Sequence, residues 1–290
     1  MAEQLTAPHT PAPNPLSKWM RQPEIYIKLP SQGYFSENND YELSVDNELG
    51  IAPMTTSDDI LLKSPEGLLN GESMATVIQS CAPGIKNVKK LPAPDIDAIL
   101  IGIRLVTYGD EMDFEVQCPE CQTTNNYSTS LRYALENISL LEPSYPIKLN
   151  NELTVFIRPF YYEDSVKEAL QRYHEAQALT LLAEADLEDL EKTKKYTESI
   201  TKISDLMTQL CASCVIKVID PNNNEIKATR EDVFQWVKNL SKQDAQKITD
   251  KVTEINNTGV NKEVSITCTN EECKHEWKSE ISFDPSYFFV

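Results

Sequence analysis

The sequence predicts an α+β protein, with a helical N-terminal region and a long central helical insertion, closed by a ribbon that is split between two distant cysteine pairs. Three observations predict it. Two stretches far apart repeat the order strand, cysteine pair, strand. The segment from Tyr162 to Cys211 is almost free of Pro and Gly and rich in strong helix formers. Between Met54 and Tyr108, helix caps follow one another in legible order.

In chain order, residues 1–18 include PHTPAPNP, a proline-rich, nearly charge-free stretch that cannot form a helix and reads as an extended arm. A mixed helix and strand domain with the first cysteine pair follows over 19–135. Ile25, Ile27 and Leu29 alternate in a strand ended by Pro30, and Tyr41, Leu43 and Val45 alternate again, with NELG as the turn that follows. Thr55 with Asp58 forms a capping box ahead of DDILLK, and Ser64 then Pro65 opens a short helix that stops at Asn70 and Gly71. A helix over Glu72 to Ser80 presents Met74, Val77, Ile78 and Cys81, the last as a small buried residue. Residues 82–94 read as a loop. Asp95 then caps the most hydrophobic helix, IDAILIGIRLVTY, with Ile96, Ile99, Leu100, Ile103 and Val106 inward, and Gly109 and Asp110 turn it into the first ribbon strand.

That strand begins DFEVQ–CPEC–QTTNNYSTS, and its distant counterpart reads VSIT–CTNEEC–KHEWKSEISF. Phe114 and Val116 alternate with Glu115 and Gln117, and Val264 and Ile266 flank Ser265, so each pair sits at a hairpin tip. Two tips brought together offer Cys118, Cys121, Cys268 and Cys273, the ligand set of a closed tetrahedral structural zinc site. Such a site closes a loop over residues 122–267 and leaves no position for water, which argues against a catalytic metal. Two other arrangements fit the same residues: His275 in place of one cysteine, or unmetallated buried thiols or disulfides.

A connecting strand segment, 136–160, carries Leu153, Val155 and Ile157 in alternation before Pro159. The helical insertion then spans 161–259. Val166, Leu170 and Tyr173, and later Tyr196, Ile200, Ile203, Met207 and Leu210, repeat at the spacing of an interhelical seam. The register breaks near Ala183 to Asp189. The run is either one rod of about 75 Å or an antiparallel hairpin bent between Asp186 and Thr193, and the separate seams favour the hairpin. Leu181, Leu182, Leu187 and Leu190 then remain for the body of the protein or a partner. Cys211 and Cys214 lie on one helical face or at a helix-to-strand junction and read as buried thiols, with a second metal site or redox chemistry as the alternatives. Val215 to Ile219 is a strand, PNNN a turn, and Thr229 with Asp232 and Ser241 with Asp244 open two helices, the second ended by Gly259. The second cysteine hairpin and an aromatic tail, Tyr287, Phe288 and Phe289, fill 260–290.

At 290 residues and 40 % hydrophobic, the chain holds one large or two small cores. A net charge of −18 with no Lys/Arg block speaks against a phosphate backbone as ligand, although ribbons of this type also occur in nucleic-acid-associated proteins. No 18-residue apolar run and no signal sequence is seen, so neither membrane insertion nor secretion is expected. Seven cysteines, an odd number with six of them in short pairs, suit a reducing compartment and a metal better than a disulfide framework. No phosphate loop, nucleophile elbow or histidine triad is present. His9 lies in the arm, His174 in the long helix and His275 beside Cys273, and helix capping accounts for Asp58, Asp59, Asp95 and Asp97. No enzymatic activity is expected.

The run PMTTSDDILLKSPEGLLNGESMATVIQSC, followed by IDAILIGIRLVTYGDEMDFEVQCPEC, resembles the baseplate protein family of T4-like contractile-tailed bacteriophages, whose hub and hub-assembly proteins share this order of features. The ending, a cysteine knuckle then EISFDPSYFF, is similar to the second half of that family's zinc-binding ribbon. The likeness covers roughly residues 24–131 and 260–290. It implies a structural zinc on Cys118, Cys121, Cys268 and Cys273 and no catalytic residues. It implies other baseplate and tail hub proteins as partners, in several copies per baseplate, with no nucleic acid and no membrane. The location implied is the virion tail baseplate, assembled in the host cytoplasm. Two roles are compatible with it, a structural component that holds its neighbours together and a non-virion chaperone of hub assembly. The sequence departs from the family in the four-residue gap before Cys273 and in Gln122 and Lys274, which stand where the family has glycine.

Overall fold

The structure, a computed structural model, describes residues 15–16, 19–36, 40–184, 189–281 and 288–289. The expected N-terminal arm lies outside these residues apart from 15 and 16.

Two hydrophobic cores organise the chain. The first begins with β1 (Ile25–Lys28), paired antiparallel with β2 (Glu48–Ile51), Ile25 opposite Ile51. This corrects the expected strand at Tyr41, Leu43 and Val45. The turn comes earlier, at Ser44–Asn47, where the Asn47 N–H bonds the Ser44 carbonyl at 3.0 Å and Asn47 takes a positive φ of 64° that Asn tolerates better than most residues. Of NELG only Asn47 belongs to the turn, and Glu48, Leu49 and Gly50 belong to the strand: Leu49 and Ile51 are buried and Val45 is fully exposed.

Helices α1 (Thr56–Leu62), α2 (Pro65–Leu69) and α3 (Glu72–Cys81) follow, α1 with the Thr55–Asp58 capping box in place. Then comes α4 (Ala93–Tyr108), whose start corrects the reading of Asp95 as a cap. Pro92 occupies the cap position, and Pro94 is tolerated in the first turn, where a missing N–H costs nothing. Asp95 is the third residue of the first turn and is fully buried; its carboxylate accepts from the Ser31 N–H at 2.7 Å, the Ser31 hydroxyl at 2.5 Å and the Tyr41 hydroxyl at 2.9 Å. Every residue from Ala98 to Leu105 is buried, so α4 is a core helix apolar nearly all round rather than on one face. Val77, Ile78, Ile99 and Ile103 centre this core, and Val260, Ile281, Phe288 and Phe289 complete it from the other end of the chain. Phe288 and Phe289 are thus core residues rather than an outward aromatic tail, with their carbonyls held by Arg104 and the Tyr108 hydroxyl. Tyr287 lies outside the described residues.

The second core is built on a four-stranded antiparallel sheet in the order β5-β6-β7-β8, where β5 is Tyr145–Lys148, β6 Thr154–Ile157, β7 Val215–Ile219 and β8 Glu225–Ile226. The ribbon strands β3 (Glu111–Gln117) and β4 (Thr124–Ser130) precede it, with α5 (Leu131–Glu136) between. Strand β5 was not expected, because Pro146 interrupts its pattern; it is an edge strand, where a residue without an N–H is admissible. The segment read as a connector thus carries half of this sheet. Between β6 and β7 run α6 (Tyr162–Glu184) and α7 (Asp189–Ser213). Lys202 Nζ lies 3.8 Å from Glu175, two residues that a continuous helix would hold about 40 Å apart, so the helices form the antiparallel hairpin.

The seam of that hairpin differs from the apolar pattern. Glu175 and Ser199 are buried, whereas Tyr173, Tyr196 and Ile200 are 42 %, 38 % and 65 % exposed. The rotation of α6 is set at its root. Asp164 pairs with the buried Arg158 at 3.1 Å, the Tyr162 hydroxyl bonds the Gly71 carbonyl at 2.8 Å, and Val166 packs so closely on Gly71 that a Cβ there would meet it at 2.6 Å. Val166 is therefore turned toward Gly71, between α2 and α3. The side chains of Leu181, Leu182, Leu187 and Leu190, and residues 185–188 altogether, lie outside what is described. Helices α8 (Arg230–Lys238) and α9 (Lys242–Asn256) close the second core, where Ile248, Val252 and Ile255 meet Leu210, Cys211 and Cys214.

Candidate metal centre

The last ribbon strands, β9 (Glu263–Thr267) and β10 (Glu276–Glu280), form a second two-stranded hairpin like that of β3 and β4. In each, the backbone folds over the first cysteine. At the first knuckle the Gln122 N–H bonds the Cys118 carbonyl and the Cys118 N–H bonds the Thr123 carbonyl, both at 2.9 Å. At the second, the N–H groups of Cys273 and Lys274 share the Asn270 carbonyl at 3.0 Å, and the Cys268 N–H bonds the His275 carbonyl at 2.8 Å. Both turns need a left-handed residue directly after the second cysteine. Gln122 (φ 60°) and Lys274 (φ 47°) fill those places, the positions where glycine was missed in the sequence.

The tips meet. The sulfurs of Cys118, Cys121, Cys268 and Cys273 all lie within 4.8 Å of one another, with Cys118–Cys273 at 3.8 Å and Cys121–Cys268 at 3.5 Å. Four sulfurs about 2.3 Å from a central tetrahedral ion stand about 3.8 Å apart, so donor type and spacing both fit a thiophilic cation such as zinc. The cysteines are free thiols, and the imidazole of His275 lies against Trp277 (ring centroids 5.9 Å apart). Cys118 and Cys268 are buried, Cys121 and Cys273 partly so.

The thiols are not equivalent. The side chain and backbone of Thr123 draw the Cys121 thiol down to about 6, its hydroxyl lying 3.2 Å from the sulfur. Burial pushes Cys268 up. At Cys273 the His275 backbone works against the shift, but burial and the other three sulfurs carry the thiol up to about 12. Mutual repulsion among four thiolates is what a divalent cation relieves, and binding one would release the protons they hold. With four protein donors the centre is closed to substrate.

Two residues of the centre have no counterpart in the sequence reasoning. Asn125 and Tyr127 project from β4 and bond the second hairpin at Thr269 and Thr267. Alternation of polar residues in QTTNNYSTS was the only signal available. The remaining cysteine pair stays apart: Cys211 and Cys214 are buried in the second core, where burial pushes both thiols up, and Cys211 Sγ lies 3.8 Å from the Thr249 hydroxyl. Cys81 is buried beside Arg21.

Residues 25–290 match the T4 bacteriophage base plate protein family. The chain belongs to that family. The match runs through the β5–β8 sheet and the hairpin as well as the ribbon, further than the likeness read from the two ends. Neither the curated proteins nor the solved structures compared with this baseplate-family chain match it. Proteins of the family are structural, non-catalytic components, so the chain has a role in baseplate structure and is not an enzyme. Among the described residues no helix is long and apolar enough to cross a membrane.

Proposed function

We propose that the chain is a structural component of a contractile-tail baseplate, present in the virion, that holds neighbouring baseplate or hub proteins together. In this reading Cys118, Cys121, Cys268 and Cys273 bind one structural zinc. The ion clamps the 260–289 segment onto the middle of the chain and thereby closes the base of the sheet and hairpin body. Family membership over 25–290 is the observation that carries the role, and the convergence of the four sulfurs supports the clamp. Its partners are other baseplate and hub proteins, in several copies per particle.

The test is a phage lacking this gene, together with mass spectrometry of purified wild-type particles. Heads without functional tails, and a stoichiometric signal in the particle, are expected. Intact infectious tails without the gene overturn the structural role. Failed assembly with no protein in finished particles overturns the component and leaves a hub-assembly chaperone.

A further inference from the structure

The two knuckles belong to hairpins that share no strand pairing, since β3 pairs with β4 and β9 with β10 in separate sheets. No ladder sets their tips in register. Apart from the facing sulfurs, the hydrogen bonds across the gap among the described residues run through two side chains of β4. Asn125 is 1 % exposed, and its Oδ1 accepts from the Thr269 N–H at 2.7 Å and from the Thr269 hydroxyl at 2.8 Å. Its Nδ2 donates to the Thr123 carbonyl at 2.8 Å and more weakly to that of Val116 at 3.5 Å. The whole capacity of the amide is spent, and its orientation follows from its partners: two donors face the oxygen, two carbonyls the nitrogen. Thr269 directly follows Cys268, and the hydroxyl of Thr123 touches Cys121 Sγ. One buried amide therefore joins the two knuckles beside a ligand of each. Tyr127 repeats the link further along the strand: its hydroxyl accepts from the Thr267 N–H at 2.7 Å and donates to the Thr267 carbonyl.

We propose that Asn125 is a positioning residue for the metal, docking the second knuckle on the first before any ion binds. The four thiols are then pre-organised, and the ion completes a site that the fold has already assembled. This rests on the reading of the cluster as a zinc centre. The gain comes from the separation of the halves. Closing a loop over residues 122–267 costs chain entropy, and the clasp meets that cost during folding, leaving the ion's affinity undiminished. The residue type is specified by the partners. An Asp in this place would keep both acceptor bonds but set a carboxylate against two carbonyls and a cluster of thiolates, while Ala would leave the Thr269 N–H without its bond.

The full chain is stripped of metal, reloaded with zinc or Co(II), and competed against a chelator. Wild type is expected to bind one ion with the absorption bands of tetrahedral cobalt thiolate. Asn125→Ala is expected to keep those bands while losing about 10- to 100-fold in zinc affinity, the usual effect of removing a group that orients a ligand. Amide exchange of the metal-free protein supplies a readout that needs no ion: Thr269 N–H is protected in wild type and unprotected in Asn125→Ala. Unchanged zinc affinity in Asn125→Ala, or an unprotected Thr269 in metal-free wild type, overturns the proposal. If Asn125→Ala fails to fold, Thr269→Val, which removes the hydroxyl bond alone, must weaken zinc in the same direction by a smaller factor, and unchanged affinity there overturns it too. A wild-type chain that binds no zinc overturns the zinc reading itself. Lost protection with undiminished affinity overturns the positioning role alone.

Discussion

Asp95 gives the first core a pH dependence of unusual sign. Burial raises its carboxyl from 3.8 to about 6, against the opposing pull of the Ser31 hydroxyl, the Ser31 N–H and the Tyr41 hydroxyl. That difference is worth about 3 kcal/mol between protonation states. The folded pKa lies above the unfolded one, so the contribution is fully present below 3.8 and is lost as pH rises through about 6. Between about pH 5 and pH 7 the loss from this group alone is about 1.3 kcal/mol. Asp97, raised by burial against the pull of Lys262, adds to the same slope. Asp220, held low by the Asn224 backbone, and Asp232, held low by the Thr229 side chain, act oppositely, but only as pH falls through their depressed values. Asp95→Asn separates the terms. Its Oδ1 keeps the Ser31 N–H, and its amide hydrogens reach the Ser31 and Tyr41 hydroxyls, which can accept. Urea denaturation at the two pH values is the assay. The variant should be at least as stable as wild type near pH 7 and should lose about 1.3 kcal/mol of the wild-type change between the two. An unaltered slope refutes the assignment to Asp95.

Two other outcomes follow from the second core and the hairpin. Replacing Cys211 and Cys214 together with Ala should leave zinc stoichiometry unchanged and cost roughly 1 to 3 kcal/mol in lost packing, read from metal analysis and a melting curve; loss of metal would show that these thiols belong to the site. Ile200→Asp should alter stability by less than about 0.5 kcal/mol, because Ile200 is 65 % exposed, while reducing incorporation into baseplates. Normal incorporation, measured by quantifying the chain in purified tails, would remove this face of α7 from the contact surface.

What was legible in the sequence was whatever depends on neighbours in the chain. The Thr55–Asp58 and Thr229–Asp232 boxes form as read, because a cap is made by residues three apart. The knuckles were legible for the same reason, and their convergence followed from the number of ligands a tetrahedral ion needs. The missed features depend on contacts between distant segments. β5 exists because β6 offers it an edge, despite Pro146. The face of α6 is chosen by Gly71 and Arg158, neither of which belongs to the helix. Asp95 has the sequence signature of a cap, and only the approach of Ser31 and Tyr41 from earlier in the chain turns it into a buried acceptor. Asn125 reads as one polar residue in a polar strand until Thr269 arrives from 144 residues away.

The same long-range contacts assign the closing segment its work. Residues 260–289 are tied to the first core at successive points along their length: Lys262 to Asp97 at 2.6 Å, the thiols and the Asn125 clasp at the knuckles, and Phe288 and Phe289 against Arg104 and Tyr108. Every one of those anchors lies between residues 97 and 125, on α4 or on the hairpin that grows from it. The chain thus leaves the first core after α5, builds the sheet and the hairpin, and returns to finish the core it left. A load applied to the exposed face of the hairpin reaches the rest of the molecule through the root of α6 and through the two ends of this insertion. The four-cysteine cluster lies beside the returning end, where a cation held by Cys118, Cys121, Cys268 and Cys273 would contribute most to keeping that end on the hairpin of α4.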